Sequence, residues 1–276
     1  MLRITGADAS DFLNGLVTAD VAALADGRMC HAGLLAPQGK ILFEFFILRD
    51  EDTYLLDVAE TVHTELAKRL GFYKLRAAVQ IEIAEDLHAT ACWGGAGTCL
   101  GQPDPRLADI GHRLIAQDAG TQPNVTLPNA TLDDYDRHRI AVGVPESIKD
   151  YPLGGTFPHE ACFDQLNGVS FTKGCYVGQE VVSRMRHRGT ARKRTIQVEA
   201  GTPLPPPETP VLAGDRPIGT LGSSSGNLGI AMIRLDRAAK AEAAGTPITV
   251  DGVALRLKVP EWADFEIAEK QKEDAP

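Results

Sequence analysis

Five prolines between residues 203 and 210 divide this chain into two parts with different patterns. Because proline lacks a backbone N–H and fixes φ, these residues interrupt any helix or central strand. Helical and strand periodicities alternate before this segment, whereas strand patterns dominate after it. We therefore predict an α+β fold in which residues 1–194 form two interleaved α+β subdomains and residues 195–276 form a second domain and tail. Within the second domain, residues 195–260 are expected to form a small β-barrel.

The first region contains clear examples of both periodicities. The apolar runs at 29–35 and 41–48 flank the turn-forming residues 36–40, which predicts a hairpin. The expected strands are 1–5, 29–35, 41–48, 54–58 and 74–83, and the expected helices begin near residue 8 or 10 and cover 61–72, 133–142 and 177–185. In the second domain we expect strands at 217–221 and 228–233, a hairpin at 248–255 with an Asp-Gly turn, and a solvated tail at 270–276. Residues 117–131 are expected to form a loop.

Charge and composition exclude several classes of protein. The formal net charge of −9 disfavours nonspecific binding to nucleic acid, so we expect no direct contact with nucleic acid. No stretch approaches the roughly 20 apolar residues that cross a membrane. The amino terminus lacks the pattern of a secretion signal or an organellar presequence, which predicts a cytoplasmic protein. Five cysteines without a Cys-x-x-Cys pair indicate reduced thiols rather than a disulfide framework.

One segment, residues 173–180, reads KGCYVGQE and has a composition that ordinary packing does not explain. It places Cys175 among cations, and nearby positive charge favours a thiolate over a thiol. Six basic residues and no acidic one follow between positions 184 and 194, a local positive field that suits a specific anion. Cys175 is thus a candidate nucleophile, redox-sensitive thiol or transient ligand to a metal or cluster. The alternative is a small buried apolar residue, which is our reading of the other four cysteines.

This segment resembles the signature of the folate-binding YgfZ family, whose members are relatives of the glycine-cleavage T-protein. Residues 2–58 and 214–233 are similar to the ends of the same superfamily, whereas residues 86–130 match no feature of it. The resemblance implies ferredoxin-like α/β subdomains arranged in a ring around a tetrahydrofolate site, with a small carboxy-terminal barrel. It also implies a role in assembling or repairing iron-sulfur clusters in client enzymes, including enzymes that modify tRNA.

The same resemblance implies the site residues. Cys175 and Lys173 would carry the chemistry, while Glu160 matches the glutamate that holds the pterin ring. The remaining candidates for folate contacts are Glu44, Tyr176, Arg184 and Arg188, the arginines because their forked side chains can clamp the carboxylates of the folate tail. No metal site is expected. Glu160 could instead be a carboxylate at the start of a helix, and Glu44 could mark the exposed face of a strand.

Two other functions remain open from the sequence. Glu44 occupies the place of the catalytic aspartate of the T-protein, so a one-carbon or aminomethyl transferase is one alternative. Its longer side chain displaces the carboxylate, and small displacements of a reacting group can cost on the order of 100-fold in rate. The other alternative is an RNA-binding module that uses the basic stretch, although aromatic residues make up only 6% of the chain.

Overall fold

The structure is a computed structural model that describes residues 1–94, 99, 101–117, 128–189 and 191–267, with Arg188 described by its backbone alone. These residues form two compact units, each assembled from separate stretches of the chain. The first unit contains residues 1–130, 153–158 and 166–184, and the second contains residues 131–152, 159–165 and 185–276. The predicted loop at 117–131 and the predicted tail at 270–276 lie largely outside the described residues.

An antiparallel five-stranded sheet forms the frame of the first unit, with the strand order β2-β3-β4-β1-β5. Its strands are β1 (Leu2–Thr5), β2 (Met29–Leu35), β3 (Ile41–Asp50), β4 (Thr53–Val58) and β5 (Gln80–Ile83). The helices α1 (Ala9–Asn14) and α2 (His63–Lys74) contribute Leu13, Leu66 and Leu70 to the core under this sheet. The unit is therefore built by packing the apolar face of each helix against one face of the sheet.

Strand β3 separates the core of this unit from a polar layer. Phe43, Phe45 and Ile47 belong to the apolar core. Since successive side chains of a strand point to opposite faces, Glu44 and Phe46 lie on the other face of the sheet. Both are nevertheless buried, which requires polar or charged partners for Glu44 on that face.

A second, smaller sheet belongs to the part of the chain where the sequence matched no known pattern. It pairs β6 (His88–Cys92), β8 (His112–Ala116) and β7 (Gln102–Pro103) in the order β6-β8-β7. These strands are two to five residues long, and such short segments carry little periodicity.

The second unit is organised around a closed six-stranded barrel with the order β10-β11-β12-β9-β14-β13. Its strands are β9 (Lys193–Ala200), β10 (Pro210–Ala213), β11 (Arg216–Ser225), β12 (Leu228–Arg234), β13 (Ile248–Val250) and β14 (Val253–Lys258). Helix α5 (Leu235–Ala243) connects β12 to β13. Helix α3 (Leu132–Val142) is capped by the preceding residue Thr131, whose side chain forms a capping box with Asp134. Helix α4 (Gln179–Arg188) begins in the first unit and ends in the second.

A buried arginine links α3 to the barrel inside the second unit. The Arg139 side chain is fully buried and donates hydrogen bonds to Asp150 Oδ2 at 2.6 Å, to the Val144 carbonyl at 2.8 Å and to Ser223 Oγ at 2.9 Å. Asp150 in turn accepts from the backbone N–H of Ser223 at 2.8 Å. Because each buried charge is matched by opposite charge and by hydrogen bonds, the network can exist in the interior.

The mixed α/β fold and the carboxy-terminal barrel are confirmed. The predicted hairpin is present as β2 and β3, and the Asp-Gly turn joins β13 to β14. The strand predicted at 74–83 is wrong over its first half, because α2 continues to Lys74 and Leu75 is 88% exposed with φ at 42°. Helix α5 was not predicted. Among the described residues, no helix has the length and apolar character needed to span a membrane.

Candidate functional site

The loop that contains Cys175 lies in the first unit, immediately before α4. The Cys175 thiol is exposed, as is the neighbouring Gly174. The side chains that flank this pair behave differently, since Lys173 is 9% exposed and Tyr176 is 7% exposed. The loop therefore presents its thiol to solvent while it is held to the protein on both sides.

Lys173 holds one side of the loop through its ammonium group. Its Nζ donates to the carbonyl oxygens of Asn14 at 2.6 Å, Val17 at 2.9 Å and Ala19 at 2.6 Å. These acceptors lie at the last residue of α1 and in the turn after it, where carbonyls have no partner within the helix. An ammonium group has three N–H donors, so the three carbonyls use all of them. In this structure, Lys173 closes the turn after α1 and its charge is directed into the protein.

The surroundings of Lys173 shift its acidity. Burial lowers the pKa of Lys173 to about 8, while the charges of Asp20 and Cys30 act in the opposite direction. Burial also raises the pKa of the Cys30 thiol to about 12, against the influence of Lys173. Cys30 therefore remains a neutral thiol at physiological pH. The thiolate that the sequence analysis predicted concerns Cys175, not Cys30.

Tyr176 holds the other side of the loop. Its ring centroid lies 5.3 Å from Lys173 Nζ, within the range of a cation–π contact. Burial raises the pKa of the Tyr176 hydroxyl to about 12, which keeps the phenol protonated. The residue predicted as a folate contact is thus a buried anchor of the loop.

Two glycines allow the same loop to approach the β2–β3 hairpin. A Cβ added to Gly178, where φ is +82°, would lie 2.7 Å from the Ala36 carbonyl oxygen and 3.1 Å from Gly39 Cα. A Cβ added to Gly39 would lie 2.8 Å from Val181 Cβ. The second glycine of the KGCYVGQE segment is therefore required by packing as well as by its backbone conformation.

Glu44 is buried beside a histidine that the sequence analysis did not select. His31 Nε2 lies 2.9 Å from Glu44 Oε1, and His31 Nδ1 lies 3.0 Å from the Leu166 carbonyl oxygen. Because a carbonyl oxygen can only accept, Nδ1 carries a hydrogen, and the contact between Nε2 and Glu44 holds one further proton. Since β2 and β3 pair Gly33 with Glu44, the predicted hairpin already places His31 on the face of Glu44.

Two arginines, also missed from the sequence, cover the same face of β3. The guanidinium carbons of Arg106 and Arg113 lie 4.8 Å and 4.3 Å from the centroid of the Phe46 ring. Arg106 forms a two-pronged pair with Asp104, at 3.0 Å and 2.9 Å. Although burial opposes ionisation of this carboxyl, Arg106 and Arg113 hold the pKa of Asp104 below its usual range. These contacts depend on the short strands β7 and β8, which explains why the sequence did not reveal them.

Glu160 belongs to the second unit. It is partly exposed, and its backbone carbonyl accepts a hydrogen bond from the Thr195 N–H at 2.8 Å. In the same segment, Asp164 receives Arg194 Nη1 at 2.8 Å and Arg194 Nη2 at 2.9 Å. The start of the barrel therefore fixes the backbone at Glu160, a residue that is partly exposed.

The two arginines predicted to clamp a folate tail lie on α4. Arg184 is exposed and pairs with Glu180 one turn earlier on the helix. The side chain of Arg188 lies outside the described residues. The structure thus brings Cys175, Lys173 and Tyr176 together in the first unit, with Glu44 elsewhere in that unit and Glu160 in the second.

The cysteine prediction needs a correction. Cys92 and Cys99 form a disulfide that closes a seven-residue separation at the end of β6, whereas the sequence analysis expected reduced thiols. The expectation depended on the absence of Cys-x-x-Cys spacing, but a longer separation also brings two Cα atoms within bonding range, here 6.0 Å. Cys30, Cys162 and Cys175 are free thiols. Within the described ranges, no three His, Cys, Asp or Glu side chains form a potential metal site.

This chain is similar to known proteins both in its fold and in its sequence. The glycine cleavage system aminomethyltransferase T from Bartonella henselae superposes with a TM-score of 0.72 over 95% of this chain and 83% of its own, at 15% identity, which shows the shared fold. Residues 192–265 match the family described as CAF17, C-terminal beta-barrel domain. The human mitochondrial iron-sulfur cluster assembly factor IBA57 is 32% identical, and the alignment covers 95% of this chain and 82% of the human protein. This chain belongs to the IBA57 family.

Other IBA57 family members show the same relationship. The mouse protein is 31% identical over 95% of this chain and 82% of its own length. The homologue from Mycosarcoma maydis is 33% identical over 74% of this chain and 57% of its own length. Membership of the IBA57 family supports the general resemblance that the KGCYVGQE segment indicated. The narrower assignment to the folate-binding YgfZ family stays a prediction.

Proposed function

We propose that this protein assists the assembly or repair of iron-sulfur clusters in client enzymes, and that Cys175 is its point of contact with the cluster. Its relatives are named iron-sulfur cluster assembly factors. The observation that carries the proposal is the exposed Cys175 thiol on a loop whose neighbours Lys173 and Tyr176 are buried. A thiol that must meet a partner protein needs this combination of access and fixed position.

The chemistry of a thiol suits this role. Iron-sulfur clusters are held by cysteine thiolates, and Cys175 can supply one such ligand while the client supplies the others. In that case the cluster is cargo, bound for the time of its transfer or repair. Gly178 and Lys173 would then act as positioning residues, because they fix the loop without reaching its exposed surface.

Tetrahydrofolate is the second part of the proposal, and the residues fit it unequally. Glu160 fits, since a partly exposed carboxylate can accept two hydrogen bonds from an aminopyrimidine edge. Glu44 and Lys173 fit less well, because both are buried, the first beside His31 and the second against three carbonyls. Bound tetrahydrofolate would supply a reduced pteridine able to carry a one-carbon unit. We therefore assign the pteridine contact to Glu160, and we propose a cytoplasmic protein whose clients include tRNA-modifying enzymes.

A complementation experiment tests the thiol. In cells that lack this protein, Cys175→Ala and Cys175→Ser should fail to restore the activity of a [4Fe-4S] dehydratase under oxidative stress. Thr172→Ala, a change at an exposed position of the same loop, should restore it as the wild type does. If Cys175→Ser restores full activity at equal protein levels, the thiol has no role in the cluster step.

Calorimetric titration tests the folate part separately. Tetrahydrofolate should bind the wild-type protein, and Glu160→Gln should weaken binding at least about tenfold, or roughly 1.4 kcal/mol, because an amide offers fewer acceptor sites. Glu199→Gln changes another partly exposed glutamate of the second unit and should bind as the wild type does. If the wild type shows no saturable binding, the folate part fails while the complementation result remains valid.

A further inference from the structure

A cavity of about 750 Å³ opens in the second unit, and neither Glu160 nor any residue of the Cys175 loop is among its lining residues. Its walls come from the end of α4, the start of β9, the first turns of α5, and residues 265–266. A cavity of this volume is within the usual range for small-molecule sites in proteins.

Four positive side chains contribute to these walls. Arg186, Arg192 and Lys240 are exposed along the cavity, and Arg194 forms part of its buried wall. These residues come from α4, β9 with the residue before it, and α5. Three of the four cations belong to the basic stretch 184–194, and the fold adds Lys240 of α5 to the same volume.

The carboxylates of the cavity are largely matched by arginines. Asp164 receives both terminal nitrogens of Arg194. Asp236 receives Arg234 Nε at 3.0 Å and Arg234 Nη2 at 2.8 Å. The other charged residues in the described part of the wall are Arg186, Arg192, Lys240 and Glu266. The cavity therefore has a local excess of positive charge in a chain whose formal net charge is −9.

The acidities of neighbouring groups report the same field. Hydrogen bonds from Arg234, with further influence from the charge of Arg192, hold the pKa of Asp236 below its usual range. Burial lowers the pKa of His159, and the charges of Arg194 and Arg186 lower it further against the opposing effect of Asp164. Although burial and the Arg234 hydrogen bonds are the larger causes, the charges of Arg186, Arg192 and Arg194 act on these two groups in the direction that also favours an anionic ligand.

The rest of the cavity is apolar. Met185, Leu235 and Phe265 contribute to its lining. The guanidinium of Arg194 lies 4.7 Å from the Phe265 ring centroid, so one face of this ring already carries a cation. Leu235 begins the nine-residue helix α5, whose amino-terminal end adds partial positive charge to the same volume. A ligand that fits these walls has an apolar body and more than one negative charge.

We propose that this cavity binds a small organic dianion with an apolar or aromatic body, held by Arg192 and Lys240. The two charges can come from a dicarboxylate or from a phosphate monoester, because a guanidinium binds both through paired hydrogen bonds. Neither Cys175 nor Glu160 lines this cavity, so the proposal adds a second ligand to the proposed role.

Four matched probes test the site by calorimetric titration of the full chain. Phenylsuccinate supplies the ring and two carboxylates, 3-phenylpropionate lacks one carboxylate, succinate lacks the ring, and phenyl phosphate supplies the second source of charge. We expect one of the two ring-bearing dianions to bind at least about tenfold more tightly than 3-phenylpropionate and succinate. The better of phenylsuccinate and phenyl phosphate identifies the source of the charge.

Charge-removing variants complete the test. Arg192→Gln and Lys240→Gln should each weaken binding of that dianion at least fivefold. Arg256→Gln and Lys258→Gln alter exposed cations on β14 that do not line the cavity, and they should bind as the wild type does. Equal binding of monoanion and dianion, equal loss in both pairs of variants, or no binding of any probe would each overturn the proposal.

Discussion

Gly178 and Ala36 approach so closely that a single methyl group cannot be placed between them. The added Cβ would meet the Ala36 carbonyl oxygen at 2.7 Å, and the backbone of Gly178 has a φ of +82°. This contact joins the Cys175 loop to the β2–β3 hairpin. A close contact between backbone atoms thereby helps to fix the loop that carries the exposed thiol.

Gly178→Ala should consequently destabilise the protein. A positive φ and a backbone clash together should lower the free energy of unfolding by about 2–4 kcal/mol, measured by urea denaturation. Gly174→Ala is the matched control, because its φ is not in the left-handed region and no atom lies within 4 Å of an added Cβ. That variant should stay within about 0.5 kcal/mol of the wild type. Equal losses in both variants would contradict the proposed packing of the loop.

The fold was predictable where local patterns agree with the final packing. The hairpin of β2 and β3 and the turn between β13 and β14 have strong local signals, and both are present. The prediction failed at Leu75, where an alternating pattern continues into a residue that is 88% exposed. Alternation of apolar and polar residues does not by itself show where a preceding helix ends. Here α2 continues to Lys74, the first residue of the predicted strand.

The candidate site was predictable to a lesser degree. The sequence identified Cys175 as unusual because glycines and basic residues surround it in the chain. The structure places this cysteine on the surface. The partners of Lys173, in contrast, are carbonyls more than 150 positions earlier in the chain. No periodicity or motif predicts which backbone atoms a lysine will reach, so its structural use emerges only from the fold. The arginines around Phe46 were missed for the same reason.

The buried network of Arg139 gives a second prediction. Arg139→Met should lower the free energy of unfolding by about 3–5 kcal/mol, because it leaves Asp150 buried without its cation. Arg137→Met, on the same helix, removes a guanidinium whose side chain is 67% exposed and whose partner is Asp134. That control should lose less than about 1 kcal/mol. Similar losses for both variants in urea denaturation would argue against a special role for the buried pair.

A third prediction concerns alkaline pH. The pKa of Cys30 rises from its ordinary 9.0 to about 12 on folding, so the unfolded chain loses this proton first and stability falls as pH increases above 9. Lys173 acts in the opposite direction, because a pKa lowered from 10.5 to about 8 makes stability rise between these values. A comparison of the wild type with Cys30→Ala cancels the part of the Lys173 contribution that comes from its own burial, which is the largest cause of its shift, and leaves only the mutual influence of the two groups.

Urea denaturation at about pH 8 and pH 10.5 measures the Cys30 effect. Relative to Cys30→Ala, the wild type should lose about 2 kcal/mol of unfolding free energy between the two values. A difference between the proteins that does not change with pH would mean that the Cys30 thiol ionises as freely in the folded state as in the unfolded chain.

The states of the five cysteines give the last prediction. Alkylation with a maleimide under non-reducing conditions, followed by intact mass measurement, should label Cys175 first, because Cys162 is buried and burial raises the pKa values of Cys162 and Cys30. Unfolding without reductant should expose three thiols, and reduction should add the two of the Cys92–Cys99 disulfide. Cys175→Ala should lose the fast label alone. Five labels before reduction would exclude the disulfide, and a fast label that survives in Cys175→Ala would remove the structural basis for assigning cluster chemistry to this residue.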